Sequence, residues 1–309
     1  MICELETWPI FIASCYRRKI PVYLINSQIT KEAIRRINII TKLFGHPVEL
    51  VSGVAAKSVE HAMNFRLMGQ KNVVSTGEFR FDQLIPDTHV LSGNSALSVV
   101  NQKNRSVIGF SSVIFGEADI YIKCMKSLKE FSAEKGLLKP LYVFVPRAPE
   151  AFNDTFKKIE EAGLSVVRRS ESFSDDLKPK TSIDWNNIDV LLGDSFGEMY
   201  FYLKLCDHVV AGGGFWHTGA HNIIEQLQLH KPVTVGPEIW TIKFPALQAE
   251  EAGLLKVVKD PAELQGNLSL FLENNITNKI SRDKFEGFLK VYAGASNKAL
   301  AMLESKGLI

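Results

Sequence analysis

At 309 residues the chain is long enough for about two domains, and a composition of 46% hydrophobic and 23% charged residues excludes a disordered or linker-like polymer. Lys and Arg number 36 against 34 Asp and Glu; this near-balance excludes the dense basic stripe of a dedicated nucleic-acid binder and leaves room for a local basic patch. Four cysteines with no Cys-x-x-Cys pair point to a reducing compartment rather than a disulfide scaffold. Glu4 and Glu6 close behind Met1 do not read as a secretory leader, and no run reaches the ~18 apolar residues of a bilayer span.

Short apolar runs then alternate with helical stretches. An apolar helix over 10–16 follows Trp8 and Pro9, and a strand over 21–26 leads to a helix over 30–43 with Thr30 as N-cap. A strand over 48–52, a helix over 57–68 closed by Gly69 and a strand over 72–76 continue the alternation. Residues 86–104, rich in Ser, Asn and Gly without a helical period, read as a linker or domain edge. Strands follow over 105–111, 141–146, 165–168, 189–192, 208–211, 233–235 and 255–258. Helices are expected over 117–134, 149–162, 197–203, 220–229, 244–251 and 261–274, with one final helix over 279–305 and a polar surface loop over 170–183. The alternation predicts an α/β protein with parallel sheets covered on both faces. Two domains are expected, a partial one over 1–90 and a nearly complete doubly wound one over 91–309 that includes the final helix.

Parallel sheets bind ligands at the carboxyl ends of their strands, so the informative residues are those that follow each strand. Gly212, Gly213 and Gly214 follow the 208–211 strand; glycine lets a backbone approach a phosphate, and a helix N-terminus beyond it offers free N–H groups, although a plain tight turn fits as well. His217, His221 and Glu225 have the i, i+4, i+8 spacing of a metal face, but His217 precedes Gly219 and is expected outside the helix, so no metal site is assigned. Asn222 and Glu225, one turn apart on a helix, suit ribose hydroxyls or a capping pair. Phe196, Gly197 and Glu198 follow the 189–192 strand, capped by Asp194 or Ser195. Arg147, held between Pro146 and Pro149, suits a bidentate phosphate contact or a merely exposed role. Glu4, Glu6 and Arg80 are weak candidates one at a time; Arg80 has the charge to stabilise a leaving phosphate.

Together and in order, these segments resemble the 3-deoxy-D-manno-octulosonic acid (Kdo) transferases. CELETWP over 3–9 resembles the family's Met-Glu-Thr-Glu-Leu-Trp-Pro, and GEFRFD over 77–82 its Gly-Asn-Leu-Lys-Phe-Asp. Residues 146–152 resemble Pro-Arg-His-Pro-Glu-Arg-Phe, and 168–170 repeat Arg-Arg-Ser. Residues 193–198 resemble Gly-Asp-Thr-Met-Gly-Glu, 219–225 resemble Gly-Gly-His-Asn-Pro-Leu-Glu, and a Gly-Pro pair follows at 236–237.

The resemblance implies two Rossmann-like domains facing a cleft, the GT-B glycosyltransferase type, with the N-terminal domain incomplete and no cofactor or metal. It implies transfer of Kdo from CMP-Kdo to a lipid A precursor in lipopolysaccharide synthesis. The implied place is the cytoplasmic face of the inner membrane, as a peripheral protein, or the cytoplasm for this short chain. Carried over, Pro146, Arg147, Phe196, Gly197, Glu198, Gly219, His221, Asn222, Ile223, Ile224 and Glu225 hold CMP-Kdo, and Glu6, Glu4 and Arg80 are catalytic. The basic stretch 31–36 either faces acceptor phosphates or is a solvated helix face. The family's base lies in an upstream Gly-Glu segment with no counterpart here, its Lys is Arg80, and its Ser-Thr-His-Glu-Gly-Glu loop has become Ser-Ser-Val-Ile-Phe-Gly-Glu over 111–117. Alternatives are a degenerate nucleotide-binding paralogue or half-enzyme, and another nucleotide-sugar transferase or epimerase of the same fold.

Overall fold

The computed structural model describes all residues except 5–7, 32, 36–40, 42–45, 181–182, 275–279, 306 and 308–309. The chain forms two compact units, Met1–Gln83 with Leu289–Ile309, and Leu84–Phe288. Glu6, most of the predicted 30–43 helix, Glu32 and Arg36 of the basic stretch, and the start of the predicted final helix lie outside the described residues.

The first unit holds a parallel sheet of β1 (Ile2–Cys3), β2 (Tyr23–Ser27), β3 (Gly53–Ala56) and β4 (Val73–Ser75), in the order β1-β2-β3-β4. Period-2 alternation sends Leu24 and Val54 to one face, against Ile12 and Phe65 of the helices Pro9–Arg17 and Val59–Leu67. It sends Tyr23 and Ala55 to the other face, against Ala299, Met302 and Leu303 of the helix Ala295–Glu304. The strand expected over 48–52 is displaced. Pro47 has no N–H for a ladder, and Pro47–Leu50 is a 3-10 turn in which the His46 ring accepts the Val48 N–H; pairing begins at Gly53.

Seven parallel strands build the second unit: β5 (Val107–Val113), β6 (Leu141–Pro146), β7 (Val166–Arg168), β8 (Val190–Leu192), β9 (His208–Ala211), β10 (Val233–Val235) and β11 (Leu255–Val257). Their order is β11-β10-β9-β5-β6-β8-β7. The strands are nearly all apolar because both faces are buried. Ile108, Phe110, Tyr142 and Phe144 pack under the helices Ala118–Glu134 and Pro261–Asn274, while Val107, Val143 and Val145 pack under Asp87–Val100 and Met199–Leu205.

Residues 86–104 are therefore not a linker. Asp87–Val100 is a helix whose buried face is Gly93, Ala96 and Val100, residues too small or too sparse to announce a period. Gly93 is needed for close approach, since a Cβ there would lie 2.7 Å from the Lys204 side chain. The single final helix is two, Arg282–Tyr292 and Ala295–Glu304, broken at Gly294 with φ +84. Asp82 accepts the Gly294 and Ser296 N–H groups, both at 2.6 Å, and fixes the last helix to the first unit. The division thus falls after Gln83 rather than at 90, and residues 289–309 pack with the first sheet rather than the second.

Candidate functional site

Each strand of the first sheet delivers one polar residue to its carboxyl end: Glu4 after β1, Asn26 in β2, Lys57 after β3 and Glu78 beyond β4. Lys57 is only 4% exposed, and its Nζ lies 2.9 Å from Glu78 Oε2 and 3.4 Å from Glu4 Oε1. Arg80 lies 3.4 Å from the same Glu4 oxygen and 3.9 Å from Glu78. Asn26 donates to Glu78 Oε1 at 3.1 Å and accepts the Phe79 N–H at 3.0 Å. Burial alone would raise the Glu78 pKa, but Lys57, Arg80 and the Asn26 amide outweigh it and hold the carboxyl below its ordinary value. Glu4 and Asn26 have φ +64 and +51, which non-glycine residues hold only where the surroundings enforce it. Glu4 and Arg80 are thus brought together as expected, whereas Lys57, Glu78 and Asn26 were missed. The sequence carries the signal: Lys57 directly ends the apolar run Val54–Ala55–Ala56, the position after a strand at which parallel sheets place functional residues.

In the second unit β5 and β9 are neighbours, with β6, β8 and β7 on one side and β10 and β11 on the other. Their carboxyl ends mark the topological switch point, the place where sheets of this kind bind ligands. Arg147 follows β6 with its N–H donating to Val113 O at 2.7 Å. Its side chain is exposed, and no ion pair holds it among the described residues. His221 is half-buried, with its N–H donating to Gly212 O at 2.9 Å. Burial, and then the Arg147 charge, hold its imidazole below the ordinary pKa, so the ring is neutral at neutral pH. Glu198 accepts Arg169 Nη2 at 2.6 Å and the Ser195 hydroxyl, next to an exposed Phe196 and a Gly197 at φ +77.

Several expectations need correction. The helix expected from 220 begins at Ile224, and Asn222 Oδ1 accepts the Ile224 N–H at 3.1 Å, so Asn222 lies before the helix rather than standing on it one turn from Glu225. Gly219 (φ +86) and Gly197 accordingly precede their helices instead of opening them; Met199–Leu205 starts two residues after Gly197. The Ile223 and Ile224 side chains are fully buried, which leaves only their backbone for a ligand; Pro146 is likewise buried at the end of β6. The glycine triplet serves backbone packing. A Cβ would lie 2.4 Å from Ser112 O at Gly212, 2.4 Å from Gly219 O at Gly213 and 2.5 Å from Gly236 N at Gly214. Two of the loop's N–H groups, those of Gly213 and Phe215, go to the buried Glu117 carboxylate at 2.6 and 2.7 Å. Among the described residues no group of three His, Cys, Asp or Glu side chains is arranged to hold a metal, and no helix is long and apolar enough to cross a membrane.

A family profile described as 3-deoxy-D-manno-octulosonic-acid transferase matches residues 1–83. The Kdo transferase of Bordetella pertussis is 27% identical over 305 residues, 98% of this chain and 68% of that protein. That of Haemophilus influenzae is 25% identical over 83% of this chain and 57% of its own length. The chain is similar to the Kdo transferases over most of its length. It spans about half to two thirds of the length of these relatives. Among solved structures, the C-terminal CMP-Kdo binding domain of WaaA from Acinetobacter baumannii matches 70% of this chain and 99% of its own at TM-score 0.51 and 20% identity. The Staphylococcus aureus MnaA–UDP complex matches all of this chain and 76% of its own at TM-score 0.56 and 14% identity. The fold is thus the two-domain α/β fold of the GT-B type.

Proposed function

We propose that this chain transfers Kdo from CMP-Kdo to a lipid A precursor, working peripherally at the cytoplasmic face of the inner membrane. The second unit holds the donor. Arg147, exposed beside the neutral His221 at the carboxyl edge, takes the phosphate. The backbone around Phe196–Glu198 takes the base, and Asn222 with Glu225 takes the ribose. Glu4 and Arg80 serve the first unit's side of the reaction. The acceptor hydroxyl oxygen forms a bond to the anomeric carbon as the bond from that carbon to the phosphate oxygen breaks. The electron pair leaves with CMP, where Arg147 stabilises the developing charge, and the hydroxyl proton passes to a general base.

The observation that carries this reading is the exposed Arg147 directly after β6 at the carboxyl edge, its charge acting on His221, within motifs resembling the family's donor segments. Titration calorimetry with CMP, with UMP as control, tests it. Selective CMP binding that Arg147→Ala weakens by about tenfold or more is expected. Absence of CMP binding by the folded protein overturns it. A second reading, a uridine-nucleotide enzyme of the same fold, is favoured by the UDP complex that matches the whole chain. Preference for UMP in the same titration would select it.

A further inference from the structure

The proposed donor's base, ribose and phosphate have partners in the second unit, but its sugar has none. The switch point between β5 and β9 carries two exposed aromatic rings, Phe115 at 82% and Trp216 at 37% exposure. Neither stands there by default. The Trp216 ring lies on the Gly116 backbone, where a Cβ would be 2.8 Å from the indole; Gly116 also has φ +99. Behind them the fully buried Glu117 binds the Gly213 and Phe215 N–H groups, locking the Phe115 loop to the Trp216 loop. The Gly219 N–H donates to Trp216 O at 3.0 Å and fixes the far side of the turn. A buried carboxylate and a required glycine therefore hold the Phe115 ring and the open part of the Trp216 ring in water, against the ordinary drive to bury them.

Resting on the donor reading above, we propose that Phe115 and Trp216 form a stacking platform for the pyranose ring of the donor sugar. The negative face of an aromatic ring attracts the weakly positive C–H groups of a sugar face and disfavours an anion. The sugar therefore lies with its C–H face on the rings and its carboxylate turned away from them.

The test is calorimetric titration of the full chain with CMP and with CMP-Kdo. Trp216→Ala is expected to weaken CMP-Kdo binding by about tenfold and CMP binding by less than about twofold, as for loss of one stacked ring. Trp216→Phe restores most of the difference, because a ring remains. Phe115→Ala moves in the same direction and spares the fold, since its ring is mostly in solvent. Equal losses for both ligands, or no loss in any variant, overturn the platform and leave the nucleotide site standing. A folded wild-type chain that binds neither ligand overturns the donor reading and the platform with it.

Discussion

The carboxyl edges of the two sheets carry the same backbone device and opposite side-chain chemistry. In the first, the β2–β3 register slips between Leu24 and Ser27, around Asn26 at φ +51; in the second, the β5–β6 register slips between Phe110 and Val113, around Ser112 at φ +54. Such bulges re-aim a strand where it leaves the sheet. The first edge then fills with charges that satisfy one another, Lys57 and Arg80 against Glu4 and Glu78. The second closes by glycine-to-backbone packing and leaves Arg147, Phe115 and Trp216 exposed. The second edge can receive a ligand without giving up an internal contact. At the first, a ligand must compete with ion pairs already made.

The largest effect should come from breaking the first edge. Lys57→Met leaves Glu78 buried without its 2.9 Å partner, and removal of one member of a buried pair destabilises by about 3–5 kcal/mol. Hydrogen exchange in β3 and β4 reads this unit alone, which matters because a two-unit chain need not unfold in one step. Lys57→Met with Glu78→Leu removes both charges and should recover most of the loss. Unchanged protection in Lys57→Met would mean that the pair is solvated. The next effect belongs to the second edge. Gly213→Ala combines a left-handed backbone at φ +86 with a Cβ 2.4 Å from Gly219 O, and about 3 kcal/mol of destabilisation is expected. Gly212→Ala meets Ser112 O at the same distance without the positive φ, so it reports packing alone. Equal losses in the two variants would show that conformation contributes little.

The contrast extends to two carboxylates that make the same kind of bond. Asp82 accepts two backbone N–H groups in the first unit, and Glu117 accepts two in the second. At Asp82 burial would raise the pKa, but the Ser296 and Gly294 N–H groups outweigh it and the pKa is lowered; at Glu117 burial outweighs its N–H donors and the pKa is raised. The pH slopes are therefore opposite. Asp82 contributes stability above its ordinary 3.8 that is lost as pH falls through its folded value. The Glu117 contribution is present below its ordinary 4.5 and is lost as pH rises through its folded value. Acidification through this range should thus loosen the final helix of the first unit before β5 and β9 of the second. Asp82→Ala should remove about 1–2 kcal/mol from that helix and flatten its acid response. Parallel loosening of both units on acidification would contradict the distinction.

What could be read from the sequence follows the same divide. The seven strands of the second unit were legible because double burial makes each a short, nearly all-apolar run. Arg147 and the 193–198 turn were legible because they directly follow such runs. The helix Asp87–Val100 was not, since its buried face contains Gly93 and Ala96, whose role is proximity rather than apolar bulk. The structural use of Gly212–Gly214 was also hidden, because a triplet that cradles a phosphate and one that packs on Ser112, Gly219 and Gly236 have the same letters. Lys57 was hidden for a different reason. A lysine at a predicted helix start reads as solvated, and only the meeting of four strand ends shows it buried between two carboxylates.

The smallest expected effect tests whether the second edge is as open as its exposed residues suggest. In the free protein burial and Arg147 lower the His221 pKa from 6.5. A phosphate bound between Arg147 and His221 reverses the sign of the nearest charge and raises it again. Binding then takes up a proton, so the affinity of the wild type for CMP should rise relative to that of His221→Gln as pH falls below 6.5, by less than about tenfold. The variant is the necessary reference, because the CMP phosphate itself gains a proton near pH ~6 and loses attraction for Arg147. Calorimetry in two buffers of different ionisation heat counts the proton directly. A wild type and variant with the same pH profile would place the phosphate away from His221, and the phosphate assignment at this edge would then rest on Arg147 alone.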